Sequence, residues 1–196
     1  MKVSKRQASD NRDAIIHAAA AQLRAHGFEQ MSVTAIAQAA GLTHGALYSH
    51  FKSKETLKAE ATKRAFEECL SAFSDLAPMA FLDQYLSPAH RDHPEQGCPT
   101  SALVSEARWQ PDEAKAAFRD GVEQFIALTG KGLETLKAEH GHDRAVFMFA
   151  SMVGGLAIAR AIRDDDATGS DDILRAVAEQ LKQLIAASSA SARKTA

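Results

Sequence analysis

Residues 32–51 constrain this chain more than any other stretch. They read Ser32-Val33-Thr34-Ala35-Ile36-Ala37-Gln38-Ala39-Ala40-Gly41-Leu42-Thr43-His44-Gly45-Ala46-Leu47-Tyr48-Ser49-His50-Phe51. Ser32 and Thr43 are hydroxyl residues placed to accept from the first free N–H groups of a helix. They predict two short helices, over Val33–Ala39 and His44–Phe51. Gly41 breaks the first and supplies the left-handed backbone of a tight turn. Ala37 is small enough for the two helices to approach closely. Val33, Ile36, Leu42, Leu47 and Phe51 then form one small core with Ile15, Ala19 and Phe28.

The remaining sequence continues the helical reading. Apolar residues recur at three- and four-residue spacing, and only five prolines interrupt 196 residues. Residues 1–9 read as a mobile polar arm, followed by a helix from Asp10 to Gly27. Ser53 is expected to cap a helix running to about Ser74, and Pro78 to open one to residue 86. Residues 87–99 hold three prolines and read as a long loop. Helices are expected over 101–108, from Pro111 to about Glu139, over Ala145–Ile162 behind an Asp143 cap, and behind a Ser170 cap. A frayed tail is expected from Ser188. The expected class is all-α: a three-helix head, then a helical body, about nine helices in all. The boundary is set at residues 1–52 and 53–196.

On the second short helix of the 32–51 pair, the residues left outside the core are Thr43, His44, Gly45, Ala46, Tyr48, Ser49 and His50. None is acidic, and Lys52 and Lys54 follow. A phosphate-lined groove tolerates such a surface. Charge is also unevenly spread. Residues 1–64 carry ten Lys/Arg against five Asp/Glu, whereas the whole chain has a net charge of −2. A basic head on an acidic body is a footprint of local contact with nucleic acid.

The same stretch resembles the tetracycline-repressor (TetR) family of transcriptional regulators. The matching residues run from Arg12 and Ile15 through Gly27-Phe28 and Ile36-Ala37 to the block Gly45-Ala46-Leu47-Tyr48-Ser49-His50-Phe51-Lys52-Ser53-Lys54-Glu55-Thr56-Leu57. They cover about residues 10–58. Met31 departs from the pattern, since the family often has Thr there. The resemblance implies a DNA-binding helix-turn-helix and a homodimeric repressor released from a palindromic operator by a small-molecule effector. It places Thr34 and Thr43 on phosphate or groove edge, and His44, Gly45, Ala46 and Ser49 on bases. It gives phosphate contacts to Tyr48, His50 and Lys54, while Lys5 and Arg6 reach a flanking minor groove.

The expected partners are double-stranded operator DNA, a second copy of the chain and an unidentified small molecule. The helix at 145–162 is apolar nearly all round, so it calls for burial on two sides. Phe149, Val153, Leu156 and Ile158, with Leu174, Val177 and Leu181 of the last helix, are the candidate dimer interface. Met79, Phe81, Trp109, Phe118, Phe125 and Met148 are candidates for an apolar effector cavity, and Cys98 joins them as a thiol beside His90, Arg91 and His93.

Two other readings centre on Cys98: a thiol-based redox or electrophile sensor, or a small all-α enzyme using the loop histidines. No catalytic triad, paired carboxylate or phosphate-cradling loop is visible, so the expectation is no enzyme, no metal and no cofactor. No uninterrupted apolar run of about 18 residues or leader-like segment is present, giving a cytoplasmic, non-membrane expectation.

Overall fold

A computed structural model describes the backbone of residues 4–134 and 141–194, and the side chains of 4–131 and 141–186. Within these residues the protein is all-helical. The helices are α1 (Lys5–His26), α2 (Val33–Ala39), α3 (His44–His50), α4 (Lys54–Phe73), α5 (Pro78–Tyr85), α6 (Pro88–Asp92), α7 (Pro99–Leu103), α8 (Asp112–Glu134), α9 (Gly141–Ile162) and α10 (Ala167–Lys194). Short 3-10 turns occupy Pro94–Gln96 and Ala107–Trp109. The expected end of the 111–139 helix lies outside the described residues.

Several elements differ from expectation for identifiable reasons. Helix α1 begins at Lys5 because Ser4 accepts from the Gln7 N–H at 3.1 Å. The expected mobile arm is therefore helical from Lys5, which places Lys5 and Arg6 in a first turn. The expected loop at 87–99 is largely helical. Its prolines occupy first-turn positions, where their fixed φ fits and no N–H is missed. Pro88 follows the Ser87 cap, which accepts from His90 N at 3.1 Å, and Pro99 opens α7. Asp143 lies inside α9 rather than capping it. Asp166, not Ser170, caps α10, accepting from Gly169 N at 2.8 Å. The Ser170 hydroxyl instead donates to the Ala159 carbonyl at 2.7 Å, inside the protein.

The chain forms two compact units. One comprises residues up to Cys69 together with Pro94–Gly121; the other comprises Leu70–His93 and Val122 onward. In the first, the head unit, Ile15, Ala19, Leu23, Phe28, Ile36, Leu47, Phe51 and Leu57 are fully or almost fully buried in one cluster. Leu103, Ala107 and Ala114 from the second segment complete it. A row of ion pairs joins α1 to α4, Arg12 to Glu60, Asp13 to Arg64 and Arg24 to Glu68, and His17 hydrogen-bonds the same Glu68.

In the second, the body unit, α10 packs along α9, and α5 and α6 lie against the pair. Helix α9 is long and apolar enough by length and composition to cross a bilayer. Here Ala145, Met148, Phe149, Met152, Leu156 and Ala159 are buried in the unit. Arg91 is buried and donates to Asp92, Asp171 and the Ser170 hydroxyl, while Arg160 donates to the carbonyls of His90 and Arg91.

His90 sits among the rings of Phe73 and Tyr85, with centroids 5.7 and 4.8 Å away. Its Nδ1 lies 2.7 Å from the Tyr85 carbonyl, which only accepts, so Nδ1 carries the proton. Burial pushes its pKa down to about 4. The unfolded chain therefore binds a proton here from about pH 6.5 downward, and the folded chain only near pH 4. This contribution to stability is complete above pH 6.5 and lost as pH falls toward 4. Urea midpoints should drop more steeply from pH 7 to 4.5 for the native chain than for His90→Gln; parallel slopes would count against it.

Candidate nucleic-acid interface

The reading pair is assembled as its sequence dictates. Ser32 accepts from Ala35 N at 3.3 Å and Thr43 from Ala46 N at 3.2 Å. Gly41 turns the chain at φ +68°, and Leu42 N returns to the Ala37 carbonyl at 2.8 Å. Ile36, Ala37 and Leu47 point inward and are almost fully buried. Phe51 ends α3 in the core, with the Arg12 guanidinium 4.9 Å above its ring. Met31 is 2% exposed, so it fills the core rather than offering a surface contact.

Thr34, Thr43, His44, Gly45, Tyr48 and Ser49 are exposed, and Ala46, His50 and Lys54 are half-buried. The expected reading residues are thus brought to the surface of α2, α3 and the start of α4. The Tyr48 ring is 48% exposed and meets the His44 ring edge-on at 5.1 Å. No heavy atom lies within 4 Å of where a side chain on Gly45 would begin. Its backbone is therefore bare to an approaching surface. Ser49 turns its hydroxyl to the Ala46 carbonyl at 2.6 Å. From residue 30 to residue 54 the chain has no acid, whereas Lys52, Lys54 and two histidines fall there. Ser53 accepts from Thr56 N at 3.1 Å, so α4 starts immediately behind this face.

Three supporting residues were not singled out from sequence. Glu106 accepts from Phe28 N at 2.8 Å and Glu29 N at 3.3 Å. It thereby holds the link between α1 and α2, where Gly27 adopts φ +79°. A side chain on Gly27 would meet the Glu106 carboxylate at 2.3 Å. Arg24 and Lys58 act similarly, Lys58 donating to Gln110 at 3.0 Å. These partners lie 41 to 78 residues apart in sequence, so no local pattern announces them.

The effector candidates are scattered. Trp109 is 72% exposed and stacks with Arg108. Phe118 packs on the head core against Phe66. Both belong to the head unit, whereas Met79, Phe81, Phe125 and Met148 belong to the body unit. Met79 is exposed, and Phe125 is stacked on Phe149 at 5.2 Å. Phe81 and Met148 line a body-unit cavity of about 210 Å³ with Phe73, Leu82, Leu128 and Ile185.

Cys98 precedes α7 and is 0% exposed. A thiol reactive toward oxidants or electrophiles needs access, which this position denies. Among the described residues no three His, Cys, Asp or Glu side chains gather as a metal site.

Of the interface candidates, Phe149, Val153, Leu156, Leu174 and Leu181 are buried within their own unit. Ile158 is 55% exposed, and Val177 and Leu181 line a shallow groove with Phe147, Ser151 and Leu184. The outward stripe of α9 is thus Phe147, Ser151, Gly154 and Ile158, at helical spacing, with the two large apolar side chains at its ends.

Comparison with known proteins agrees with this geometry. Residues 15–61 match the model of the bacterial regulatory proteins of the tetR family. No curated protein sequence matches. Among solved structures, E. coli NemR in its reduced form is similar at TM-score 0.74 and 19% identity, covering 88% of this chain and 96% of that one. A TetR-family regulator from Cytophaga hutchinsonii is similar at TM-score 0.71 and 22% identity, covering 95% and 98%. One from Legionella pneumophila gives 0.71 and 21%, covering 94% and 99%. At these identities the structures speak for the fold, and the family match speaks for the head. Residues 15–61 thus match the N-terminal model of the bacterial regulatory proteins of the tetR family, and the whole described chain shares the fold of the solved TetR-family structures.

Proposed function

We propose that the chain is a homodimeric repressor whose α3 enters the major groove of a palindromic operator and which a small molecule releases. The observation that carries this is the exposed, acid-free surface of α3, with its bare backbone at Gly45. In this reading His44, Gly45, Ala46 and Ser49 meet base edges, with Thr34 and Thr43 at the groove edge. Tyr48, His50 and Lys54 fix the register on phosphates, Lys54 beside the positive end of the α4 dipole. Residues 1–52 read DNA, and residues 53–196 sense and dimerise.

Anisotropy titrations on a palindromic fragment from the gene's own upstream region test this. Tyr48→Phe and Lys54→Ala should weaken binding about 5- to 30-fold on every sequence, and Lys54→Ala should reduce the salt slope by about one. His44→Ala should change base preference at one position of each half-site. Wild-type binding by all three variants would remove α3 from the interface.

A two-fold dimer places two reading helices on half-sites roughly 34–36 Å apart. The outward stripe of α9 and the groove beside α10 supply the apolar surface for it. Ile158→Glu and Phe147→Glu should halve the mass measured by light scattering and weaken operator binding together. A monomeric native chain would overturn the dimer.

Release follows if effector binding in the body favours a conformation with the two heads mis-spaced, by the difference in its affinity for the two states. The cavity around Phe81 and Met148 is the candidate chamber.

A further inference from the structure

The walls of the body cavity limit what can fill it. We propose that it takes a small monocarboxylate with a compact hydrocarbon body, of the size of benzoate or phenylacetate. This proposal rests on the reading of the body as an effector sensor.

Three observations carry it. The first is size. A cavity of about 210 Å³ is larger than the roughly 150 Å³ that accommodates benzene, and smaller than the roughly 300–1,000 Å³ of sites for drug-sized ligands. One ring with one short arm fits.

The second is the lining. Phe73, Phe81, Leu82, Leu128, Met148 and Ile185 present carbon. Thr129 is 4% exposed, and its hydroxyl proton is already donated to the Phe125 carbonyl at 2.9 Å. It therefore offers a ligand no hydrogen-bond donor. A hydrocarbon body meets these walls without leaving polar groups unsatisfied.

The third is charge. Lys131, which is exposed, is among the residues lining the cavity, and among the described residues no Asp or Glu lines it and no ion pair to Lys131 is found. An ammonium has three donors and no acceptor, so it is complementary to an anionic oxygen. The contact would be a charge-assisted hydrogen bond, stronger than one between neutral groups. One cation matches one carboxylate; a second would be left in carbon surroundings without a partner.

Isothermal titration of the full chain with phenylacetate and with its neutral counterpart phenylacetamide tests the proposal. Phenylacetate should bind at least about tenfold more tightly than the amide. Lys131→Gln should erase that preference while leaving amide affinity within about twofold. Leu128→Trp should fill the chamber and remove binding of both. Equal affinities, a preference that survives Lys131→Gln, undiminished binding by Leu128→Trp, or no binding by either probe would each overturn it. Operator titration with saturating phenylacetate separates the two readings. Lys131-dependent binding that leaves operator affinity unchanged keeps the ligand class and rejects release.

Discussion

Gly121→Ala should destabilise the protein by about 2 kcal/mol, against the usual sign of such a change. In an ordinary helix interior, alanine is better than glycine by roughly 0.5–1 kcal/mol, because it loses less backbone freedom on folding. Gly121 lies mid-way along α8, yet a Cβ there would fall 2.2 Å from the ring of Phe66. That ring is 2% exposed and packed edge-on against Phe118 at 5.7 Å. It has no solvent side to retreat to. Overpacking of this kind costs about 1–3 kcal/mol, occasionally more, and it outweighs the helix gain. For a chain of this length each kcal/mol is worth roughly 2–4 °C, so the melting temperature should fall by about 4–8 °C. A calorimetric scan showing a higher melting temperature for Gly121→Ala would mean that α8 and α4 do not approach this closely.

Arg24→Leu should cost more, about 3–5 kcal/mol, because a buried charge network is broken from one side. The guanidinium is 4% exposed and donates to the Glu95 carbonyl at 2.7 Å, the Ala65 carbonyl at 3.2 Å and the Glu68 carboxylate at 2.9 Å. Leucine fills the volume but leaves two carbonyls and a carboxylate without those donors. His17 still touches Glu68 at 2.7 Å and softens the loss only at the exposed end. Arg24→Lys should recover part of the stability, since an ammonium carries the charge but not the planar fork. Urea titration should show a lower midpoint at unchanged slope. The double change Arg24→Leu with Glu68→Gln should cost less than the two singles together. Additive losses would show that the pair is not coupled.

The head was legible from sequence because its determinants are local. Ser32, Gly41 and Thr43 act within three or four residues of themselves, and α2 was placed to the residue. The prolines misled where only their helix-breaking side was read: Pro88 and Pro99 sit at first-turn positions, where they open helices. Ser170 looked like a cap because its hydroxyl precedes an apolar repeat, but that hydroxyl serves Ala159 across the α9–α10 contact. The α9 stripe was ambiguous for a related reason. A helix apolar on all sides gives no phase, and only packing decides that Phe149 turns inward and Phe147 outward. Glu106 and Arg24 were out of reach, since their partners come from remote sequence.

The position of Glu106 in the chain bears on how the protein is made. The head unit draws its last pieces from Pro94–Gly121, after the polypeptide has already supplied Leu70–His93 to the other unit. When Cys69 leaves the ribosome, the N–H groups of Phe28 and Glu29 still lack the carboxylate that accepts from them. At about 5–20 residues per second, the 52 residues from there to Gly121 take roughly 3–10 s more. A nascent chain therefore carries all of α2 and α3 for seconds before their support is complete. A fragment ending at Cys69 would remain in that unsupported condition, so a transplanted head must carry both segments.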